Sequence, residues 1–530
     1  MLRRNRGKEL LPWDSLDHPP ARFRFEAGVI VASGWALFED SPVAKVEGWL
    51  GDVSLGKARL GLPRPDVAAL HPAPEATVCG FELRAGIEPP QADAETELRI
   101  VATSLAGEER ELGAVPVTLA AAAKRVPRPP RIDPSSPGGS GLRLLAFSNV
   151  LTLGGAALHL DELLREMQRQ GRVAPTVVTA IDGPLRGDLE AAGVPVHLLG
   201  PLPLDDLDAY LDRAEEIAAW AAGKGFELVL VNTATALTLP GADVGRALGL
   251  PVVWSIHESF PPALLWDGLG PGLREHAESA LAEAAFAVFE AEATRRLYPA
   301  LAERSATIPY GLDLAPIEAV RVGFDRDRTR RELGIAADAD LAICVGTVEP
   351  RKAQLQLARA FDLVAERHPR AQLAFVGSDE GASSAALAAW IASSPHGERM
   401  RLVPRTPEVQ RWVGAADLLI CASDVESLPR SVLEAMAWEK PVLATAVFGL
   451  AETIEHGVNG WLCEPGDLGA LAAGLDLAFG SDAETRRRIG SAARELVLSR
   501  HDLGSYARLI GDLFDSTVTA SIPPERGERR

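Results

Sequence analysis

Two periodicities divide the chain. Between residues 23 and 120, short apolar stretches (VIVASGWAL, AKVEGWLG, CGFELRAG, TELRIVATS, ELGAVPVTL) are separated by turns rich in Gly, Pro and Asp. Several alternate hydrophobic and polar residues at period two, as half-buried strands do, and no helical pattern of useful length interrupts them. This predicts a small antiparallel β-sandwich of about seven strands, with PRPDV (63–67) as an irregular loop. Its Trp35 and Trp49 suit either a sugar-stacking surface or packing in the core and at the edge, and packing is the default. The next stretch, AAAKRVPRPPRIDPSSPGGSG (121–141), has no apolar period and reads as a linker stiffened by proline.

From Leu142 the period changes. LRLLAF, PTVVTA, PVHLL, ELVLVN, PVVWSI and AFAVFEA alternate with helical segments. Strand alternating with helix implies a parallel sheet wound on both faces. The cycle breaks near IPYGLDL (308–314), restarts at LAICVGT (341–347) and runs on through QLAFVG, DLLICA and PVLAT. The prediction is therefore an α/β protein with Rossmann-like lobes over 142–310 and 311–500. A closing helix follows within 501–517, and the sandwich precedes the lobes. Residues 1–22 and 518–530 are expected to be tails.

The chemistry concentrates in DLLICASDVESLPRSVLEAMAWEKPVLATAVFGLAETIEHGVNGWLCEPGD, from Asp417 to Asp467. An apolar run ends in a polar loop carrying Glu426, Ser427 and Leu428. Pro429 then opens a helix that contains Glu434. Proline suits a first helical position because its missing N–H would be unpaired there anyway. The free N–H groups from Arg430 onward make a natural anion site. Two carboxylates beside an anion site suit a ligand with both a diphosphate and neutral hydroxyls, such as a nucleotide sugar. In the first lobe, Gly154 and Gly155 precede a helix and are either a plain turn or a place where backbone approaches a ligand. His257 follows PVVWSI at a strand's carboxyl end, where open α/β sheets place ligand residues. It reads either as a functional imidazole or as a brace for its own loop, with Glu258 a weaker neighbour. In the second lobe, Arg351 and Lys352 stand just before a helix, where their charge would add to its positive end.

The block E-S-L-P-R-S-V-L-E-A-M-A, K-P-V-L-A-T, F-G-L-A-E-T-I, G-V-N-G-W-L and P-G-D resembles, in order and spacing, the C-terminal domain of GT-B glycosyltransferases, specifically the retaining family 4. The resemblance spans residues 142 to 515. It implies two facing Rossmann-like lobes and transfer of a sugar from a nucleoside diphosphate to an acceptor hydroxyl, with no further cofactor. Glu426 would lie near the donor sugar, Glu434 would hold the ribose and His257 would stand at the reaction centre. The Gly154–Gly155 loop would lie against the donor phosphates and the acceptor. Arg351, Lys352 and Arg430 would converge on the diphosphate. The family often has Arg directly after the first Gly of VGTVEPRKA, and Gly after its Lys. Here those positions are Thr347, grouped with the donor-binding residues, and Ala353. Polysaccharide or cell-envelope glycan synthesis, with a glycan or lipid-linked acceptor, is the expected setting. A nucleotide-sugar epimerase or phosphorylase on the same fold, and a non-catalytic glycan-binding scaffold, stay open as alternatives.

Composition narrows this picture. A net charge of −19 over 530 residues argues against a nucleic-acid partner. It also repels an anionic donor at long range, so the site must concentrate its own positive charge. DxD spacing at Asp206/Asp208, Asp325/Asp327 and Asp338/Asp340 falls away from the strand ends, so no metal site is expected. The four Cys are scattered and read as buried thiols. With no apolar run of membrane-spanning length and no signal-peptide pattern, the expectation is a cytoplasmic protein. The linker's Arg and Lys are the one feature suited to peripheral membrane contact.

Overall fold

The computed structural model describes residues 14–20, 22–25, 28–71, 73–88, 90–121 and 141–521. All but the end residues of the expected linker, and the outer parts of both tails, lie outside the described residues. The N-terminal region folds into β1 (Asp14–His18), β2 (Phe23–Phe25), β3 (Val29–Ala36), β4 (Val43–Leu50), β5 (Val53–Lys57), β6 (Arg59–Leu62), β7 (Gly80–Gly86), β8 (Ala94–Ser104) and β9 (Glu109–Leu119). One sheet runs β1-β3-β7-β6 and the other β2-β9-β8-β4-β5. Ile30, Ala32, Phe81, Leu83, Leu98 and Ile100 fill the space between them.

The structure corrects several readings of this region. The described residues form nine strands rather than seven. Asp14–His18, expected in the tail, pairs with β3, and β2 pairs parallel to β9 rather than antiparallel. The expected loop PRPDV holds a short helix, Pro65–Ala68. Trp35 is 5% exposed and packs with Leu37, Val67 and Ala76. Trp49 lies under the Arg99 guanidinium, 4.9 Å from it. Both tryptophans are packing residues.

The first lobe has β10 (Leu142–Val150), β11 (Val173–Ile181), β12 (Val196–Leu198), β13 (Leu228–Asn232), β14 (Val252–Ile256), β15 (Phe286–Phe289) and β16 (Ser305–Thr307). They form a parallel sheet in the order β12-β11-β10-β13-β14-β15-β16. The second lobe has β17 (Asp340–Val345), β18 (Ala371–Ser378), β19 (Met400–Pro404), β20 (Leu418–Cys421), β21 (Val442–Thr445) and β22 (Trp461–Cys463). Their order is β19-β18-β17-β20-β21-β22, also parallel. In each sheet the order reverses beside the first strand, β10 or β17. Ligand crevices of open α/β sheets lie at the carboxyl ends at such a reversal. The loops after β10, β14, β17 and β20 carry the residues singled out from the sequence.

The last helix, Leu503–Ser521, returns to the first lobe and runs on into the stretch expected to be tail. Tyr506 hydrogen-bonds His159, and Arg172 pairs with Asp512 and Asp515. The sandwich rests on both lobes. Val78 joins the apolar cluster of the second lobe with Leu357 and Trp390, and Lys57 approaches Glu464 and Asp467. Arg84 pairs with Asp267 of the first lobe. No helix among the described residues is long and apolar enough to cross a membrane.

Candidate active site

A cleft of about 680 Å³ lies between the lobes. Gly154, Gly155, His257, Thr347, Arg351, Lys352, Glu426, Ser427, Leu428, Arg430 and Glu434 all line it. The fold thus brings together the candidates named in the two lobes. Gly155 opens the helix Gly155–Arg169, and a Cβ built on it would meet nothing within 4 Å. The protein's own packing does not demand glycine there; the room is cleft space. That favours close backbone approach to a ligand over a plain turn.

Three adjacent strand ends hold His257. Its Nδ1 lies 2.6 Å from Glu290 Oε1, beyond β15, and its Nε2 lies 2.9 Å from Asn232 Oδ1, at the end of β13. The Asn232 amide nitrogen donates to Ala156 O, which turns its carbonyl toward the imidazole. Both ring nitrogens therefore face acceptors, the arrangement an imidazolium needs. Burial works against that charge, but the Glu290 carboxylate outweighs it and holds the His257 pKa above the ordinary 6.5. Glu258 turns inward instead, accepting from Ala234 N at 2.9 Å. It braces the loop. His159, 5.0 Å from the His257 ring, is kept neutral by burial and by that neighbouring charge.

The second lobe holds its cations in two ways. Arg351 donates to Glu349 and Glu426, both at 2.9 Å. Arg430 forks onto both oxygens of Glu162 across the cleft at 2.7 and 2.8 Å, and its Nε donates to Glu434 at 2.6 Å. All three cations line the cleft, and two of them, Arg351 and Arg430, are already ion-paired there. Buried guanidiniums need carboxylate partners, and these two have them. Lys352 stays unpaired among the described residues, its Nζ lying over Gly346. The donor helix begins at Arg430, with Pro429 as the extended residue before it. Ala353 adopts φ 51°, the left-handed conformation that glycine takes easily, so the loop shape survives the replacement.

Glu434 is 9% exposed, and burial raises its pKa despite Arg430. Its second oxygen accepts from Gln410 Nε2 at 3.1 Å, while Gln410 Oε1 accepts from Trp438 Nε1. Three buried polar atoms on the cleft lining have no protein partner: Ser427 Oγ, Tyr310 OH and His159 Nδ1. Buried polar groups are normally paired, so these three are exceptions in the packing around the cleft. Burial pushes the Cys421 thiol up to about 11, leaving it an inert lining residue.

Residues 325–496 match the family described as Glycosyl transferases group 1, and residues 153–328 match Glycosyltransferase Family 4. D-inositol 3-phosphate glycosyltransferase 2 of Catenulispora acidiphila is 30% identical over 294 residues, covering 50% of this chain and 67% of that protein. The chain belongs to the glycosyl transferases group 1 family. Another protein of this organism, D-inositol 3-phosphate glycosyltransferase 1, is 34% identical over 43% of this chain, which spans 58% of that relative's length. The structure of Anabaena HepE, determined in complex with UDP and glucose, superposes with a TM-score of 0.61 at 22% identity. That match covers 71% of this chain and all of HepE, and it is a likeness of fold: the GT-B architecture.

Within this family member, Asn232, Glu290, Tyr310, Glu162, Gln410 and Arg405 reach the site or support it and were missed in the sequence. Glu290 stands next to last in the run AFAVFEA, and its place after a strand was the available signal. Tyr310 lies in the interlobe break. Asn232 ends the run ELVLVN and carried the same signal, while Glu162, Gln410 and Arg405 carry no local signature. Asp206 and Asp325, of the DxD pairs, cap helices by accepting from Ala209 N and Arg328 N. No group of three or more His, Cys, Asp or Glu disposed to hold a metal occurs among the described residues.

Proposed function

We propose that the protein moves a sugar, with retention of anomeric configuration, from a nucleoside-diphosphate sugar to an acceptor hydroxyl. The cleft carries this reading: the Gly154–Gly155 loop and His257 of the first lobe face Lys352, Glu426 and Glu434 of the second across a space of about 680 Å³. Glu434 accepts from the ribose hydroxyls, Glu426 and Ser427 orient the sugar, and the free N–H groups around Arg430 and Ser431 face the diphosphate. The bond from the anomeric carbon to the diphosphate breaks, and its electron pair passes to the phosphate oxygen. The acceptor oxygen bonds that carbon, and the acceptor proton goes to the departing diphosphate.

Lys352 is positioned to stabilise the charge as it develops, when preorganised cations contribute most. With both nitrogens committed to Asn232 and Glu290, His257 supplies positive charge and a fixed edge to the reaction centre rather than acting as a base. That HepE was crystallised with UDP and glucose is consistent with such a donor. The acceptor is a glycan or a lipid-linked sugar, approaching over Gly154 and Gly155. The test is a thermal-shift screen of the purified protein against nucleotide sugars, followed by assays for transfer and donor hydrolysis. The reading predicts stabilisation by one nucleotide series and release of its diphosphate. Failure of every nucleotide sugar to bind would refute it.

A further inference from the structure

Thr347 offers a hydroxyl at the end of β17, and Arg351 and Arg430 are each engaged with two carboxylates. On the second-lobe side of the cleft, this leaves Lys352 and Arg405 without an ion pair among the described residues. Asp379 feels the charge of Arg405 but makes no ion pair with it. We propose that Arg405 is a second cation on the leaving diphosphate, acting with Lys352. This rests on the reading of the cleft as a nucleoside-diphosphate-sugar site.

The geometry is specific. Arg405 follows the edge strand β19 and is anchored by donating its N–H to Ser378 O at 3.0 Å. To reach β17 its side chain must cross the end of β18. Gly377 occupies that crossing, with φ 120°, and a Cβ there would lie 2.7 Å from Gly346 O. No side chain stands in the way, and Arg405 Nη2 donates to Thr347 Oγ1 at 3.1 Å. On the other side, Lys352 Nζ comes 2.7 Å from the point a Cβ on Gly346 would occupy. The two cations thus flank the Gly346–Thr347 peptide. A guanidinium held by a neutral hydroxyl gives up little when phosphate arrives, and its planar fork matches two phosphate oxygens. In a chain of net charge −19, an uncompensated Arg at this point is what an anionic ligand requires.

The experiment is calorimetric titration with uridine, guanosine and adenosine di- and monophosphates, plus steady-state turnover of the matching nucleotide sugar. Arg405 is exposed, so Arg405→Ala is expected to fold. It should weaken diphosphate binding by about tenfold or more, the scale of one charge-assisted hydrogen bond. Monophosphate binding should be unchanged and kcat lower by about 10- to 100-fold. The exchange variant Thr347→Arg/Arg405→Thr should recover diphosphate binding. Equal losses for mono- and diphosphate, or an unchanged preference for diphosphate in Arg405→Ala, would overturn the proposal and leave the donor reading standing. A wild type that binds no nucleoside diphosphate would overturn that donor reading itself.

Discussion

Replacing Glu434 by Gln tests the ribose assignment and the bracing around it together. Both carboxylate oxygens already accept N–H groups, one from Arg430 Nε and one from Gln410 Nε2. Gln410 cannot turn over to help, because its Oε1 holds the Trp438 indole N–H at 2.6 Å. An amide offers one acceptor where two are needed, so one N–H will face another. Leaving a buried donor unsatisfied costs roughly 1–3 kcal/mol, and the apo protein should lose that much stability. A ribose diol loses a carboxylate acceptor as well. A hydrogen bond to a charged group contributes ~1.5–3 kcal/mol, and each 1.4 kcal/mol is a factor of ten. The Kd for the cognate nucleoside diphosphate should therefore rise about 10- to 150-fold. Calorimetry gives the Kd, and thermal unfolding of the apo protein gives the bracing effect. Because burial lifts the Glu434 pKa above the ordinary 4.5, wild-type affinity should begin to fall on acidification earlier than for an exposed Glu. The variant should not show that fall. A lowered Tm with unchanged Kd would make Glu434 a brace and remove it from the ribose.

Lys352→Ala should lower kcat by about 10²–10³-fold with a smaller effect on KM, since the charge it meets develops in the transition state. Wild-type turnover should withstand a chelator, and near-normal turnover of the variant would count against this role for Lys352. The His257 pKa is raised by Glu290, so the imidazolium is present at low pH and is lost as pH climbs through that raised value. The alkaline limb of kcat/KM should move to lower pH in Glu290→Gln, and a limb that stays put would mean another group titrates there. Burial lifts the Asp424 carboxyl from 3.8 to about 6. The folded state then holds a proton that the unfolded chain releases, so stability falls as pH rises through that window and stays lower above it. About two pKa units at 1.36 kcal/mol each is ~3 kcal/mol. Asp424→Asn keeps an acceptor for Gly466 N–H, and it should exceed the wild type by ~1–3 kcal/mol at pH 8 and match it near pH 4 in denaturant melts. Equal stabilities at both pH values would refute this.

Much of this protein is written in local patterns. Period-two strands, the strand–helix cycle and the restart at LAICVGT are properties of neighbouring residues, so the sandwich and both lobes were legible in the chain. Several residues that line the cleft were legible for a related reason. Parallel sheets place ligand groups just past strand ends, and a strand end is visible as an apolar run meeting polar residues. Asp14–His18 was missed because an edge strand with five residues and four polar or charged side chains shows no apolar period.

What each charge does was decided in three dimensions. Arg351, Arg430 and Arg405 look alike as letters, yet the first two are neutralised by Glu349, Glu426, Glu162 and Glu434 while Arg405 is not. Glu162 and Arg430 lie 268 residues apart, and no local pattern links them. The protonation of His257 likewise depends on burial and on Glu290, which is reached from a different strand. Hydrophobic period is a property of neighbours along the chain, so sequence alone determined the two lobes and most of the strands, though not the edge strand Asp14–His18 or the short helix Pro65–Ala68. Electrostatic state depends on distance and burial, which only the packed lobes set.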